Sequence, residues 1–338
     1  MIVHNKPTLS SEEKQAVEEV LNSAWLVQGQ QVEKFENEFC HFLGIPGNHA
    51  VAVSSGTSAL YLSLLALNAK KEKVSFPSYG CSALRNSVDM SQNYEDLIDS
   101  APTNPNLDLN LLNRSNARIA IIPYLYGIPL DFAQIKNKLI IEDCSQSLGA
   151  KINNKFLGTL GEISIFSFYA TKIITSGGQG GMVVSQHKEH IDFIRDYREF
   201  DCRYDHKPRF NFQMTDIQAA IGRVQLKKLP SFVKRREEIF RIYKSYGLNL
   251  LEPLESFVQP IRFKALIITK NPMEKVMALL KKDIKTIIPL EERELLDSSP
   301  LFQNAQYWSN NLLSIPIYPA LSDEEAHLIA KSCKEIGL

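Results

Sequence analysis

The sequence has no excess of charge of either sign, because 38 Lys and Arg are matched by 38 Asp and Glu. Without a positive balance nothing draws the chain to a polyanion or an anionic membrane, so nucleic acid is not expected as a partner. Long apolar runs are also missing. None approaches the ~20 residues that a membrane-spanning helix needs, and the start, MIVHNKPTLSSEEK, has no apolar core behind a basic end. The expectation is a soluble, unexported, cytoplasmic protein. Cysteine is scarce and scattered: Cys40, Cys81, Cys144, Cys202 and Cys333 never fall into C-x-x-C spacing. Tetrahedral zinc and a redox dithiol are thereby disfavoured, and reduced thiols are expected. His187 and His190 stand close together at a helix start, but SQHKEH otherwise reads as solvated polarity, and no metal is expected there.

What the chain does have is enough apolar material for a large core, with 44% hydrophobic residues over 338 positions. From residue 50 onward, short β-rich runs alternate with helical patterns: AVAVSS then SALYLSLLALNA, KVSFP then CSALRNSV, and RIAIIPYL followed by KLIIEDC. This alternation predicts an α/β protein with a mostly parallel sheet covered by helices. ISIFSFYA and GGMVVS read as two further strands joined through a glycine-rich loop, hence as a hairpin. Two helices precede the sheet, one capped by Ser10 and the other ended by Gly44. A long amphipathic stretch beginning at DIQAAIGRVQ is expected to be interrupted at Pro230, and the domain boundary is placed there. Residues 1–230 form the large domain and residues 231–338 a smaller C-terminal α+β domain.

Three elements carry chemistry. In VAVSSGTSAL a strand turns through Ser54, Ser55, Gly56 and Thr57 into a helix, whose free amides and dipole suit a phosphate; a plain capped turn would look the same. In LIIEDCSQSLGA an apolar strand ends in acids, which puts Asp143 at the carboxyl edge where open α/β sheets bind ligands; a helix cap or surface acid is the alternative. In ISIFSFYATKIITSGGQGGMVVS, Lys172 lies among small and β-branched residues between two strands, although alone it reads as a loop-tip lysine. A phosphate turn, a strand-end aspartate and a loop lysine, in this order, are what a pyridoxal-phosphate enzyme requires.

The chain resembles the DegT/StrS-type sugar aminotransferases, which share the aspartate aminotransferase architecture (fold type I). The resemblance rests on GQQVEKFENEF, SSGTSAL, FPSY, IPYLYGIP, IEDCSQSLGA, GTLGEISIFSF, ATK, GGMVV, FNFQMTDIQAAIGRVQL and LLSIPIYPALSDEE, in that order over nearly the whole length. It implies a seven-stranded, mostly parallel sheet and pyridoxal 5'-phosphate as cofactor. It further implies that Lys172 is the lysine joined to the cofactor, that Asp143 pairs with the pyridine nitrogen, and that Gln146 lies near the ring hydroxyl. Gly56, Thr57 and Ser167 would bind the phosphate, and Asn211 would reach the phosphate of a neighbouring subunit, so that a homodimer shares its sites. The implied reaction moves an amino group, from glutamate, to a nucleotide-linked keto-sugar, for amino sugars of surface polysaccharide such as lipopolysaccharide or of secondary metabolites.

Some positions depart from the family pattern. Gly80 and Cys81 follow FPSY where many members place an aromatic residue that stacks on the ring. Cys81 is kept among the cofactor neighbours, with its side chain expected to be a small buried filler and Tyr79 a candidate to stack instead. Gln213 stands where an Arg or Lys is common. Tyr197, Arg198, Asp201 and Arg203 begin the family's substrate loop but equally fit a solvated helix end. Two other functions compete: sugar dehydration on the same fold, which replaces the lysine by histidine and is disfavoured by Lys172, and a cofactor-binding regulator without turnover.

Overall fold

The computed structural model describes residues 1–338. The chain begins with two helices, α1 (Ser11–Ser23) and α2 (Gln30–Leu43). Their ends follow from local chemistry. Ser10 caps α1 in a reciprocal box in which the Glu13 carboxylate accepts from the Ser10 amide at 2.8 Å. Gly44 ends α2 in the left-handed region, φ +71°. The start of α2 has no side-chain cap of its own, because residue 29 is glycine. Its amides are met from afar: the Asp216 carboxylate accepts from Gly29, Gln31 and Val32 at 2.8, 3.2 and 3.1 Å.

The chain then alternates strand and helix through β1 (Ala50–Val53), α3 (Gly56–Ala66), β2 (Lys73–Pro77), α4 (Ser82–Met90), β3 (Tyr94–Ile98), α5 (Leu109–Arg114), β4 (Ile119–Pro123) and β5 (Leu139–Asp143). A two-residue hairpin, β6 (Lys151–Ile152) with β7 (Lys155–Phe156), leads into β8 (Ile163–Ser167) and β9 (Gly181–Val184). One seven-stranded sheet results, in the order β1-β9-β8-β5-β4-β2-β3. Every pair from β8 to β3 is parallel, and only β9 runs against both its neighbours. The expected mostly parallel sheet is present, and so is the expected β8–β9 hairpin.

Strand periodicity puts side chains on two covered faces. Ala50 and Ala52 join one core with Phe35 and Phe39 of α2, while Val51 and Val53 join the other with Leu60, Leu62 and Leu64 of α3. Helix α6 (Lys188–Arg198) completes that second face through Ile191 and Ile194.

Helix α7 (Asp216–Ser245) corrects one expectation, since it passes through Pro230 without interruption and residue 230 lies near its middle. Proline inside a helix costs about 3 kcal/mol. Packing on both sides outweighs this: Leu226 and Leu229 sit in the core beneath the sheet, and Ile239, Phe240 and Tyr243 sit in a separate C-terminal core. That second core encloses β11 (Ala265–Ile268) and β12 (Leu312–Ile315), an antiparallel pair, with α8 (Pro272–Leu280) and α10 (Asp323–Glu335) against it. β10 (Val258–Gln259) extends the small hairpin, and α9 (Gln303–Asn311) leads into β12. The first residues also join this C-terminal part, where Ile2 exchanges backbone hydrogen bonds with Asp283 and Lys285. No helix is long and apolar enough to cross a membrane.

Candidate active site

Parallel strands gather their carboxyl ends at one edge, and a cavity of about 360 Å³ opens there. Gly56, Thr57, Cys81, Asp143, Gln146, Ser167 and Lys172, which lie far apart in the chain, all line it.

The phosphate turn is assembled by close backbone approach. Ser55 caps α3, its Oγ accepting from the Ser58 amide at 3.0 Å, which leaves the first amides of the helix without intrahelical partners. In the sheet, Gly181 lies between Val53 and Ser167, so the strand before the turn and the strand carrying Ser167 flank one glycine. A Cβ on Gly181 would stand 2.4 Å from the Ser55 carbonyl oxygen, and one on Gly56 would stand 2.9 Å from Ser167 Cβ. Only glycine at both places lets the helix start close over Ser167.

Asp143 ends β5. Its Oδ1 accepts from the Ser145 amide at 2.9 Å, and its other oxygen has no partner in the protein. Its neighbour Glu142 is wholly buried and heavily used. Oε2 accepts from Tyr124 Oη (2.6 Å) and the Gly158 amide (3.0 Å), and Oε1 from the amides of Leu160 and Gly161 (both 2.7 Å) and Ser164 Oγ (3.0 Å). Glu142 therefore anchors the end of β5 while Asp143 stays available.

Lys172 sits in a turn that folds back on itself, with its amide donating to the Tyr169 carbonyl at 3.0 Å and that of Ala170 to Gly178 at 3.1 Å. Gly177 and Gly178 have φ of +78° and +138°, which makes the return to β9 possible. Burial pushes the Lys172 pKa down, and the Asp143 carboxylate opposes that shift. A lysine that gives up its proton more readily is a better nucleophile toward an aldehyde. Gln146 is oriented by the chain itself, its Oε1 accepting from the Tyr126 amide at 2.7 Å.

Several expectations change here. Cys81 is not a buried filler; it is exposed and lines the cavity, because the chain turns at Gly80 and starts α4 at Ser82, leaving Cys81 at the mouth of that helix. Tyr79 does not face the ring position. It is fully buried and outside the cavity lining, its Oη 2.7 Å from Tyr126 Oη, in a cluster with Phe302 and Trp308. The expectation for Asn211 is not among those that change: a residue expected to serve a neighbouring subunit lies outside its own chain's cavity, exposed, accepting from the Gln213 amide at 3.1 Å.

Arg198 is a buried structural clamp, donating to Glu36 Oε1 at 2.5 Å and to the Ala52 carbonyl at 2.8 Å. Tyr197 packs on Phe212, Asp201 accepts from the Cys202 amide, and Arg203 pairs with Asp196, so none of this group lines the cavity. Sequence reasoning passed over Glu142, Tyr124 and Lys264. The acidic pair at the strand end was the one visible signal among them.

A free carboxylate at the sheet edge, a desolvated lysine facing it and a helix N-terminus open to phosphate define the class: a pyridoxal-phosphate enzyme of fold type I. The chain belongs to the DegT/DnrJ/EryC1/StrS aminotransferase family, whose pattern matches residues 7–334. It is 29% identical to the GDP-perosamine synthase of Escherichia coli O157:H7, over 98% of this chain and 97% of that protein. It is 28% identical to the Helicobacter pylori UDP-4-amino-4,6-dideoxy-N-acetyl-beta-L-altrosamine transaminase, over 97% and 96%. Its fold matches the sugar aminotransferase Spr1654 of Streptococcus pneumoniae in its PMP form, described as putative, with a TM-score of 0.92 at 21% identity over 99% of both chains.

The protein is thus a sugar aminotransferase that uses pyridoxal phosphate. The residues present suit that group: a carboxylate oxygen without a partner, a lysine without a counter-ion contact, and unpaired helix-start amides beside Ser167. When bound, the cofactor supplies an electrophilic carbon for the amine and a sink for the electrons released from a substrate C–H bond.

Proposed function

We propose that this enzyme moves an amino group from glutamate to a keto-sugar carried on a nucleotide. The observation that carries the reading is the meeting of Lys172, Asp143 and the Gly56–Thr57 turn in one cavity. Asp143 supplies the negative field that favours a protonated ring nitrogen. Lys172 would hold the cofactor through its amine, and its free amino group, its pKa lowered by burial, would serve as the base that moves the proton. Gly56, Thr57 and Ser167 hold the phosphate with neutral donors, so the cofactor stays in place between the two halves of the reaction. Relatives that act on GDP- and UDP-linked sugars support a nucleotide carrier without selecting one.

The active unit is a homodimer in which Asn211 serves the neighbouring copy. Supporting this, Asn211 lies on a segment without helix or strand that carries exposed Phe200, Tyr204 and Phe210, and Trp25, Leu26 and Val27 are exposed as well. Large apolar groups left open in this way mark an association surface.

Purified protein carrying its cofactor should absorb visible light through its lysine-bound form, and glutamate should bleach that band. The Lys172→Ala protein should lack the band and lose amino transfer by at least about 10³-fold. Retention of both colour and turnover by that variant would refute the assignment.

A further inference from the structure

Behind the residues that line the cavity, Lys172 shares an aromatic neighbour with a second amine that the reading above leaves unused. Lys264 immediately precedes β11, and its position is fixed by two contacts. The buried Arg236 guanidinium of α7 donates to the carbonyls of Arg262, Phe263 and Ile317 at 3.3, 3.1 and 2.8 Å, clamping the segment in place. Gly127, at φ +79°, then lets Phe263 close on the site: a Cβ there would stand 3.2 Å from both Phe263 Cβ and the Gln146 carbonyl oxygen. The Phe263 ring is consequently shared by two ammonium groups, with Lys172 Nζ 5.9 Å and Lys264 Nζ 5.7 Å from its centroid.

Lys264 has no counter-ion. Burial first, and then the cationic neighbours Lys172 and Arg236, bring its pKa down to about 8. His4, whose Nε2 lies 2.9 Å from Ser314 Oγ, belongs to the same neighbourhood and feels Lys264 and Lys285. The charged groups acting on Lys264 are therefore cationic, Lys172 and Arg236, while Asp143 acts on Lys172. Desolvated like charges without a partner are unfavourable, and an anionic ligand relieves them.

We propose that Lys264 is an anion-binding residue of the active site, whose ammonium takes up the negatively charged group of a substrate beside Lys172. This rests on the amino-transfer reading for its physiological meaning. The shared chemistry is an oxyanion, either the carboxylate of the amino donor or the phosphate of the sugar carrier. A lysine suits either one as a compact point charge with three donors.

The test uses cofactor-loaded protein and two probes, succinate and inorganic diphosphate, with binding followed by calorimetry and by the shift of the visible band. Wild type should bind at least one probe. Lys264→Met should bind that probe about 10- to 100-fold more weakly, as expected for removal of a charge-assisted hydrogen bond. Lys264→Arg should recover most of the loss, and all three proteins should keep the visible band. A loss confined to succinate assigns the donor carboxylate, and a loss confined to diphosphate assigns the carrier. Equal binding by wild type and Lys264→Met, or no binding of either probe by wild type, overturns the proposal. Should the methionine variant fail to fold, Lys264→Gln makes the same comparison. Because neither probe turns over, failure of the amino-transfer reading would appear separately, as absence of product from nucleotide-linked keto-sugars.

Discussion

Replacing Glu142 by glutamine keeps the shape of the side chain and changes only its hydrogen-bonding character. The carboxylate accepts from Tyr124 Oη, Ser164 Oγ and the amides of Gly158, Leu160 and Gly161, and it is completely buried. A carboxylate is acceptor-only and matches five donors; an amide has one oxygen and an NH₂ group. In the better of its two orientations the glutamine oxygen takes the Oε1 position and keeps Leu160, Gly161 and Ser164. Its NH₂ then faces Tyr124 and Gly158. The tyrosine hydroxyl turns to accept, but the Gly158 N–H meets another donor. One stranded buried donor costs about 1–3 kcal/mol, and replacing charge-assisted bonds by neutral ones adds about 1 kcal/mol, for a total near 2–4 kcal/mol. The flipped orientation strands two amides and is worse. Equilibrium denaturation in urea, with and without cofactor, measures the loss. A Glu142→Gln protein within 0.5 kcal/mol of wild type would show that this network does not anchor the end of β5. Since Asp143 is the next residue, cofactor affinity should fall together with stability.

Two further outcomes follow from contacts already described, besides those given for Lys172 and Lys264. Gly181→Ala places a methyl group where the Ser55 carbonyl oxygen would be 2.4 Å away, backbone against backbone. The phosphate turn must shift, so cofactor affinity should drop at least about 10-fold, beyond an overpacking loss of about 1–3 kcal/mol in stability, as read by absorbance titration and denaturation. Unchanged affinity would refute the close-approach argument. His4 has its pKa lowered from 6.5 to about 3, chiefly by burial and then by Lys264 and Lys285. Between those values the unfolded chain binds a proton that the folded chain does not, so stability falls as pH drops from about 6.5 toward 3. His4→Gln should flatten part of that slope in denaturation curves taken at pH 7, 5.5 and 4.5, and an unaltered slope would remove His4 as a contributor.

The sheet was readable in advance because its signals are local. Runs such as IAII and the LII that opens β5 are apolar throughout, as strands covered on both faces must be, and the Ser10 and Gly44 caps depend on neighbours only a few residues away. What escaped was decided at long range. Pro230 reads as a break, yet two cores on either side hold α7 straight through it. Tyr79 reads as a stacking ring, but its partner Tyr126 is 47 residues away and holds it in a buried cluster outside the cavity lining. Arg198 reads as a solvated helix end until Glu36, 162 residues earlier, is placed beside it. Lys264 carries no local signal at all, since its meaning depends on Arg236 and Gly127 bringing Phe263 against Lys172.

The acidic pair at the end of β5 shows why a motif alone does not say which of its residues faces a site. Successive strand residues point to opposite faces, so Glu142 and Asp143 cannot both enter one cavity. Pairing selects between them: the loop through Gly158, Leu160 and Gly161 folds over Glu142 and saturates it, whereas Asp143 keeps an oxygen without a partner where the strands end. The same two letters in the sequence therefore become a saturated structural anchor and a carboxylate left open to the cavity, and the loop that distinguishes them lies some fifteen residues downstream. Moving the site's chemistry one residue back would require freeing Glu142 from five donors, which is the larger change and the reason the arrangement has only one workable register.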